Sequence, residues 1–225
     1  MKLRGISYII IALGVMLTAC EVDNYEPPKS ILEGHVVYQD QPVGVRSNGV
    51  QLELWQPGFE LFQKIPVYVA YDGSFSAALF DGDYKLVRLR GNGPWVDNTD
   101  TIDVQVRGNT VIDVPVEPYY TVSNETFQAS GNTVAASFTI DQVNASRELE
   151  RVTLYIGTTA IVDVNNSIVN VSLNKDAIAD LNAPINLSLE LPPNLSGRDY
   201  VFARIGVKTS GVEEMLYSPV QKIEL

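Results

Sequence analysis

The sequence predicts an all-β protein: two β-sandwich domains in tandem, over residues 30–120 and 121–225, behind a short N-terminal leader. Three observations predict it. From Ser30 onward, short runs rich in Val, Ile, Leu and Tyr alternate apolar with polar residues. Gly, Asn and Asp turns interrupt these runs at short intervals. Pro118-Tyr119-Tyr120 then divides the chain into two blocks of about 100 residues, each large enough for one domain. Period-two patterning with turns this closely spaced builds sandwiches or barrels, not helical bundles.

The leader comes first. Lys2 and Arg4 make a basic start, and residues 6–17 form a mostly apolar run of about a dozen residues, the pattern of a secretory signal too short to span a bilayer as a helix. It ends in Leu17-Thr18-Ala19-Cys20, which resembles the lipobox read by lipoprotein signal peptidase. The resemblance implies removal of residues 1–19 and lipid on Cys20. An ordinary secretory signal followed by an unrelated free cysteine is the alternative; position, neighbours and the uniqueness of this cysteine favour the lipobox. With one cysteine in the chain, no intramolecular disulfide can form. Glu21 and Asp23 resemble the surface-export signal of Bacteroidetes lipoproteins, which implies the outer face of the outer membrane. Residues 20–29, with Pro27 and Pro28, read as a lipidated tether.

In the first block, Leu52 and Leu54 alternate with Gln51 and Glu53, and Ile102, Val104 and Val106 alternate with Asp103 and Gln105. Arg107-Gly108-Asn109 and a matching run, Ile112, Val114 and Val116, predict a hairpin. Asp72-Gly73 and Asp81-Gly82 predict two more turns. The series Ile31-x-x-Gly34-x-Val36, Pro42-Val43-x-Val45, Val50-x-Leu52-x-Leu54, Asp72-Gly73-x-Phe75 and Leu79-x-x-Gly82-x-Tyr84-x-Leu86 resembles the carboxypeptidase-regulatory-like, transthyretin-type (prealbumin-like) sandwich of about seven strands. The segment 58–66 is longer than the compact version of that domain needs.

In the second block, Val134, Ala136, Phe138 and Ile140 alternate, as do Val152, Leu154 and Ile156, and Val201, Ala203, Ile205 and Val207. Asn174 to Leu181 suits one short helix, with Asn174 as N-cap and Pro184 preventing continuation. Leu195-x-Gly197-x-x-Tyr200 resembles the tyrosine corner of fibronectin type III and immunoglobulin-like domains, and Leu216 to Val220 resembles their last strand. Signal, lipobox, transthyretin-like sandwich and Ig-like domain together resemble a family of Bacteroidetes lipoproteins of unknown function, associated with Sus-like glycan-uptake loci. The resemblance implies a location and a setting, with the outer membrane and a Sus-like transport complex as partners, and no chemistry.

Composition narrows the partners. Without Lys2 and Arg4 the mature chain keeps 14 basic against 27 acidic residues, a formal charge of about −13. A basic footprint for nucleic acid is missing. No second long apolar segment exists, so lipid is the expected anchor. Enzyme chemistry is poorly supplied. His35, the one histidine, sits in a strand pattern where a structural role is the commoner one, and no G-x-S-x-G elbow accompanies it. Cys20 is committed to lipid. Asp97, Asp100 and Asp103, or Asp81 and Asp83, could act as a carboxylate pair, but turn capping is the better reading of them. The spaced calcium-loop pattern is absent, and no metal or cofactor site is expected.

The remaining lead is aromatic. Gly91-Asn92-Gly93-Pro94-Trp95 is a loop by local rules, and an exposed Trp95 could stack on the C–H face of a sugar while Asn92, Asp97 and Asn98 bond its hydroxyls. Against this stands a Trp95 folded back as a lid over the sandwich. Trp55 with Phe59 is a weaker candidate, and Tyr119 and Tyr120 suit packing between the domains. The expected function is non-catalytic binding of polysaccharide at the cell surface, with a structural or assembly role in a surface protein complex as the alternative and a hydrolase third.

Overall fold

The computed structural model describes residues 26–58, 63–181, 183–195 and 197–225. Cys20 with its leader, and Phe59 in the long 58–66 segment, lie outside the described residues. Among the described residues no helix is long and apolar enough to cross a membrane.

The first domain contains β1 (Ser30–Tyr38), β2 (Gln41–Pro42), β3 (Gln51–Trp55), β4 (Lys64–Tyr68), β5 (Ser74–Leu79), β6 (Gly82–Arg88), β7 (Ile102–Val106), β8 (Thr110–Val111) and β9 (Val114–Pro115). The second contains β10 (Tyr120–Ser130), β11 (Thr133–Gln142), β12 (Leu149–Gly157), β13 (Val169–Asn174), β14 (Ile185–Glu190), β15 (Tyr200–Thr209), β16 (Leu216–Tyr217) and β17 (Gln221–Glu224). Each domain is a sandwich of two sheets. In the first, the order β4-β3-β6-β7 faces a sheet in which β1 lies between β5 on one side and β8 and β9 on the other. In the second, β10-β11-β14 faces β13-β12-β15, with β16 and β17 both on the far side of β15. The chain is thus all-β with two tandem domains, as the periodicity predicts.

Alternation decides which side chains enter the cores. Leu52, Leu54, Tyr84, Leu86, Val104 and Val106 close one face of the first sandwich, with Leu32, Val36 and Phe75 opposite. Val134, Ala136, Phe138 and Ile140 meet Val152, Leu154, Ile156, Val201, Ala203, Ile205 and Val207 in the second. Every second residue of these strands is buried because side chains alternate across the pleat.

Four local expectations need correction. The expected hairpin after β7 does not form: β7 pairs with β6, while β8 and β9 run parallel to β1 in the other sheet. Gly108, at φ +62°, turns the chain from one layer to the other instead of back on itself. Gly34 permits the crossover, since a Cβ there would strike the Ile112 carbonyl. The short helix reduces to a single 3-10 turn, Lys175–Ala177, with no side-chain cap from Asn174. Tyr119 and Tyr120 belong to the second core and do not fill a gap between domains; the Tyr120 hydroxyl donates to the Arg147 carbonyl at 3.0 Å. Tyr200 remains 38% exposed with the Lys222 ammonium 4.1 Å from its ring centroid, so it is not tucked into the sandwich as a tyrosine corner requires. A hydroxyl-to-backbone bond of that kind occurs in the first domain, from Tyr84 to the Phe80 carbonyl at 2.9 Å.

Candidate functional site

The Trp95 loop is closed. Val96 N–H donates to Glu117 O at 2.9 Å and Tyr119 N–H to Pro94 O at 3.3 Å, so residues 94–96 lie against 117–119 and turn the indole onto the first core. Trp95 is only 4% exposed. Gly93 lies beneath the ring so closely that any Cβ would overlap it. The expected sugar platform is therefore a lid, because covering an apolar edge of the sandwich removes more apolar surface from water than a stacked sugar could. The polar neighbours are engaged as well. Asn92 Oδ1 accepts the Gln51 N–H at 2.6 Å, Asp97 accepts the Gly91 N–H at 2.6 Å, and Asn98 Oδ1 accepts the Asp100 N–H at 2.7 Å. Asp97 and Asn98 also line a hollow of about 460 Å³ with Arg88, Asp100 and Glu117, but no aromatic ring faces it.

The larger concavity, about 810 Å³, lies between the domains. The first domain contributes Tyr38, Gln39, Gln41, Tyr71 and Asp72; the second contributes Ser123, Glu125, Asp141 and Phe202. Tyr38, Tyr71 and Phe202 are half-buried, so parts of their rings face the opening, while Gln39, Gln41, Asp72 and Asp141 are exposed. Partly exposed rings beside amides and carboxylates can cover the C–H faces of a sugar and bond its hydroxyls.

A buried arginine fixes the floor. Arg204 sits on the face of β15 opposite Ala203 and Ile205 and points away from the second core, yet it is fully buried. Its Nε donates to Ser218 O at 2.7 Å, Nη1 to Val45 O at 3.1 Å and Nη2 to Tyr71 O at 2.5 Å, so one guanidinium holds carbonyls of both domains. Its central carbon lies 4.7 Å from the Tyr217 ring centroid. Burial pulls the guanidinium down to about 10 against the opposing pull of Tyr217 and Asp163, which leaves it a cation at neutral pH. Burial likewise pushes the Tyr217 phenol well above its ordinary value.

Other contacts lock the same junction. Gly44 forms a backbone bridge with Tyr217, the Tyr217 N–H donating to Gly44 O at 2.9 Å; a Cβ on Gly44 would collide with the Arg204 guanidinium and the Tyr217 carbonyl. Arg46 of the first domain forks onto Glu214 of the second, at 3.2 and 2.5 Å. Leu216 of β16 enters the first core. The two walls of the cleft are thus held at one angle.

The remaining candidates serve the fold. Asp72 accepts from the hydroxyl and N–H of Ser74; burial lifts its carboxyl, but these bonds outweigh that and leave it below the ordinary carboxylate value. Asp81 accepts from the Ser30 hydroxyl at 2.6 Å and the Gly108 N–H at 2.9 Å. Asp103 pairs with Lys85. His35, on an exposed position of β1, stands 3.9 Å from Asp113. Trp55 ends β3 half-buried, on the face opposite Leu54. Among the described residues, no group of three or more His, Cys, Asp or Glu is placed to hold a metal ion. Sequence reasoning missed Arg204, Tyr71, Phe202 and Gly44; the one available signal was a charge inside the apolar run Val201 to Val207.

Comparison with known proteins places this architecture. No curated protein matches the sequence. A crystal structure of a DUF3823 family protein from Bacteroides ovatus is 42% identical, with a TM-score of 0.81, covering 88% of this chain and 100% of its own. A DUF3823 family protein from Parabacteroides merdae is 34% identical with the same TM-score and coverage. A Bacteroides uniformis protein described as a candidate carbohydrate-binding protein shares the fold at 21% identity and TM-score 0.73, again over 88% of this chain and 100% of its own. Residues 30–117 match the N-terminal domain of the protein of unknown function DUF3823, and residues 120–222 match the domain of unknown function DUF3823_C. The chain therefore belongs to the DUF3823 family, with both of its domains present in order.

Proposed function

We propose that this chain is a non-catalytic glycan-binding lipoprotein of the bacterial cell surface, anchored in the outer membrane through Cys20, and that the cleft between its domains is the binding site. The observation that carries this is the preformed cleft itself: three partly exposed rings, Tyr38, Tyr71 and Phe202, flanked by Gln39, Gln41, Ser123 and Asp141. Its size falls within the range of ligand pockets, about 300–1,000 Å³. The description attached to the Bacteroides uniformis relative agrees with this reading. The lipobox and the surface-export signal support the location, and a role beside a glycan-uptake complex rests on the resemblance to lipoproteins associated with such loci.

The test is affinity electrophoresis of residues 21–225 through gels holding different soluble polysaccharides. Retardation by at least one glycan, lost in Tyr71→Ala or Phe202→Ala with circular dichroism unchanged, is the expected result. Retardation that survives both substitutions would remove the cleft from consideration. In cells, Cys20→Ala is expected to abolish labelling by radioactive palmitate and release the protein from the membrane fraction; retention there would rule out the anchor.

A second reading has one observation in its favour. Ile161, Val164 and Ile168, on the loop between β12 and β13, are 41%, 47% and 47% exposed and together suit a protein contact in a surface assembly. Strand addition is the weaker form of that reading, because the long edge strand β10 carries a bulge between Ser123 and Thr126, with Asn124 at φ +55°. Capture of one membrane partner by the intact protein, lost on Val164→Asp, would favour assembly.

A further inference from the structure

The charge arrangement in the cleft names the class of glycan, and this inference rests on the glycan-binding reading. We infer that the cleft takes an uncharged, hydroxyl-rich polysaccharide and turns away uronate-containing or sulfated ones.

Carboxylates stand on both walls: Asp72 on the first domain, Glu125 and Asp141 on the second. Asp141 accepts the Ser123 hydroxyl at 2.5 Å, and Asp72 the Ser74 hydroxyl at 2.7 Å. These bonds hold both groups in place, and each carboxylate keeps acceptor capacity for a ligand hydroxyl.

Two cations line the cleft against three carboxylates; one is sealed from a ligand and the other is exposed but already paired with a carboxylate. Arg204 is fully buried, with Nε, Nη1 and Nη2 each directed to a carbonyl and a tyrosine ring against its plane. Lys222 is exposed, but its charge is balanced by Glu224, to which it donates at 2.7 Å, and it lies 4.1 Å from the Tyr200 ring centroid. The surface a ligand meets is therefore negative in a chain that is already at −11.

Recognition of anionic sugars needs the reverse: guanidinium or ammonium groups with free N–H donors. A ligand anion about 4 Å from one such carboxylate in water loses roughly fivefold in affinity, and screening leaves contacts within about 8 Å largely intact at physiological salt. Uncharged hydroxyls meet no such penalty and can donate to the same oxygens. Sugar C–H faces still find Tyr38, Tyr71 and Phe202.

The test uses residues 21–225 in affinity gels with two sets of probes: xylan, mannan, levan, β-glucan and starch as neutral glycans, polygalacturonate and chondroitin sulfate as acidic ones. Each is run at 20 and 500 mM NaCl. The expected result is retardation by at least one neutral glycan, changing less than twofold with salt, and none by the acidic pair. Glu125→Gln with Asp141→Lys should then admit acidic glycans at low salt; if it does not, charge is not the discriminating element and the inference falls. Retardation of the wild type by an acidic glycan overturns the inference while leaving glycan binding intact. Retardation by neither set overturns both.

Discussion

The Trp95 loop and the interdomain cleft are built from the same kinds of residue and come to opposite ends. Each brings aromatic side chains together with amides and carboxylates. In the loop, the indole is covered and Asn92, Asp97 and Asn98 bond backbone N–H groups at Gln51, Gly91 and Asp100. In the cleft, the rings of Tyr38, Tyr71 and Phe202 stay partly exposed, and the glutamines and Asp141 face outward. What separates the proposed binding surface from a structural plug is therefore whether hydrogen-bonding capacity remains once the chain has satisfied its own backbone. The cleft keeps that capacity because Arg204, a single buried group, satisfies three of the carbonyls around its floor.

Exchanging the roles of the two regions gives the largest expected effect. Trp95→Ala should cost about 3–5 kcal/mol in urea unfolding, the range for removing a buried Trp, while the folded protein keeps its glycan retardation. Tyr71→Ala should cost under about 1.5 kcal/mol and abolish retardation. If the folded Trp95→Ala variant also loses binding, the contrast drawn above is wrong.

Arg204→Met comes next. It leaves the Val45, Tyr71 and Ser218 carbonyls without their donor, at an expected cost of about 3 kcal/mol. Since those carbonyls belong to both domains, unfolding should also separate into two transitions followed by intrinsic fluorescence. A single transition at wild-type midpoint would show that Arg204 does not couple the domains.

The smallest effect calibrates carboxylates engaged in the manner of Asp97. The Ser30 hydroxyl and then the Gly108 N–H hold Asp81 below its ordinary value of 3.8. A folded-state value below the unfolded one means that the contribution is complete above the unfolded value and disappears as pH falls through the folded one. Wild type should therefore exceed Asp81→Asn in stability at pH 6, and the difference should close as pH falls below the ordinary value of 3.8. A difference independent of pH would mean that the ionised carboxylate is not the acceptor that matters.

How far the sequence discloses the molecule depends on whether a feature is local. The period-two runs at Val134 to Ile140 and Val201 to Val207 define core faces directly, since alternation is a property of the strand itself. Partner strands are a different matter. Gly108 supplies a left-handed turn whether the chain doubles back or crosses to the other layer, and only the close approach of Gly34 to Ile112 decides between them. Trp95 was ambiguous for the same reason: its burial is settled by residues 117–119, more than twenty positions away. The cleft is assembled from positions 38 to 222, a spread that leaves no motif to find. Arg204 was visible as a charge within an apolar run, but the outward face of β15 reads as solvent-facing until the first domain is set against it.

The parallel placement of β8 and β9 beside β1 also bears on how the protein comes to be made. The Asp113 carboxylate accepts the His35 N–H across 78 residues of chain, and Leu32 and Val36 pair with Thr110 and Val114. The first strand of this domain is thus completed by its last. During synthesis, β1 emerges early and keeps one unpaired edge until residues 110–115 have crossed behind it, which makes closure of the domain a late, non-local event. A partner that shields that edge before closure, or fast completion of the first 115 residues, becomes a requirement for yield rather than for activity.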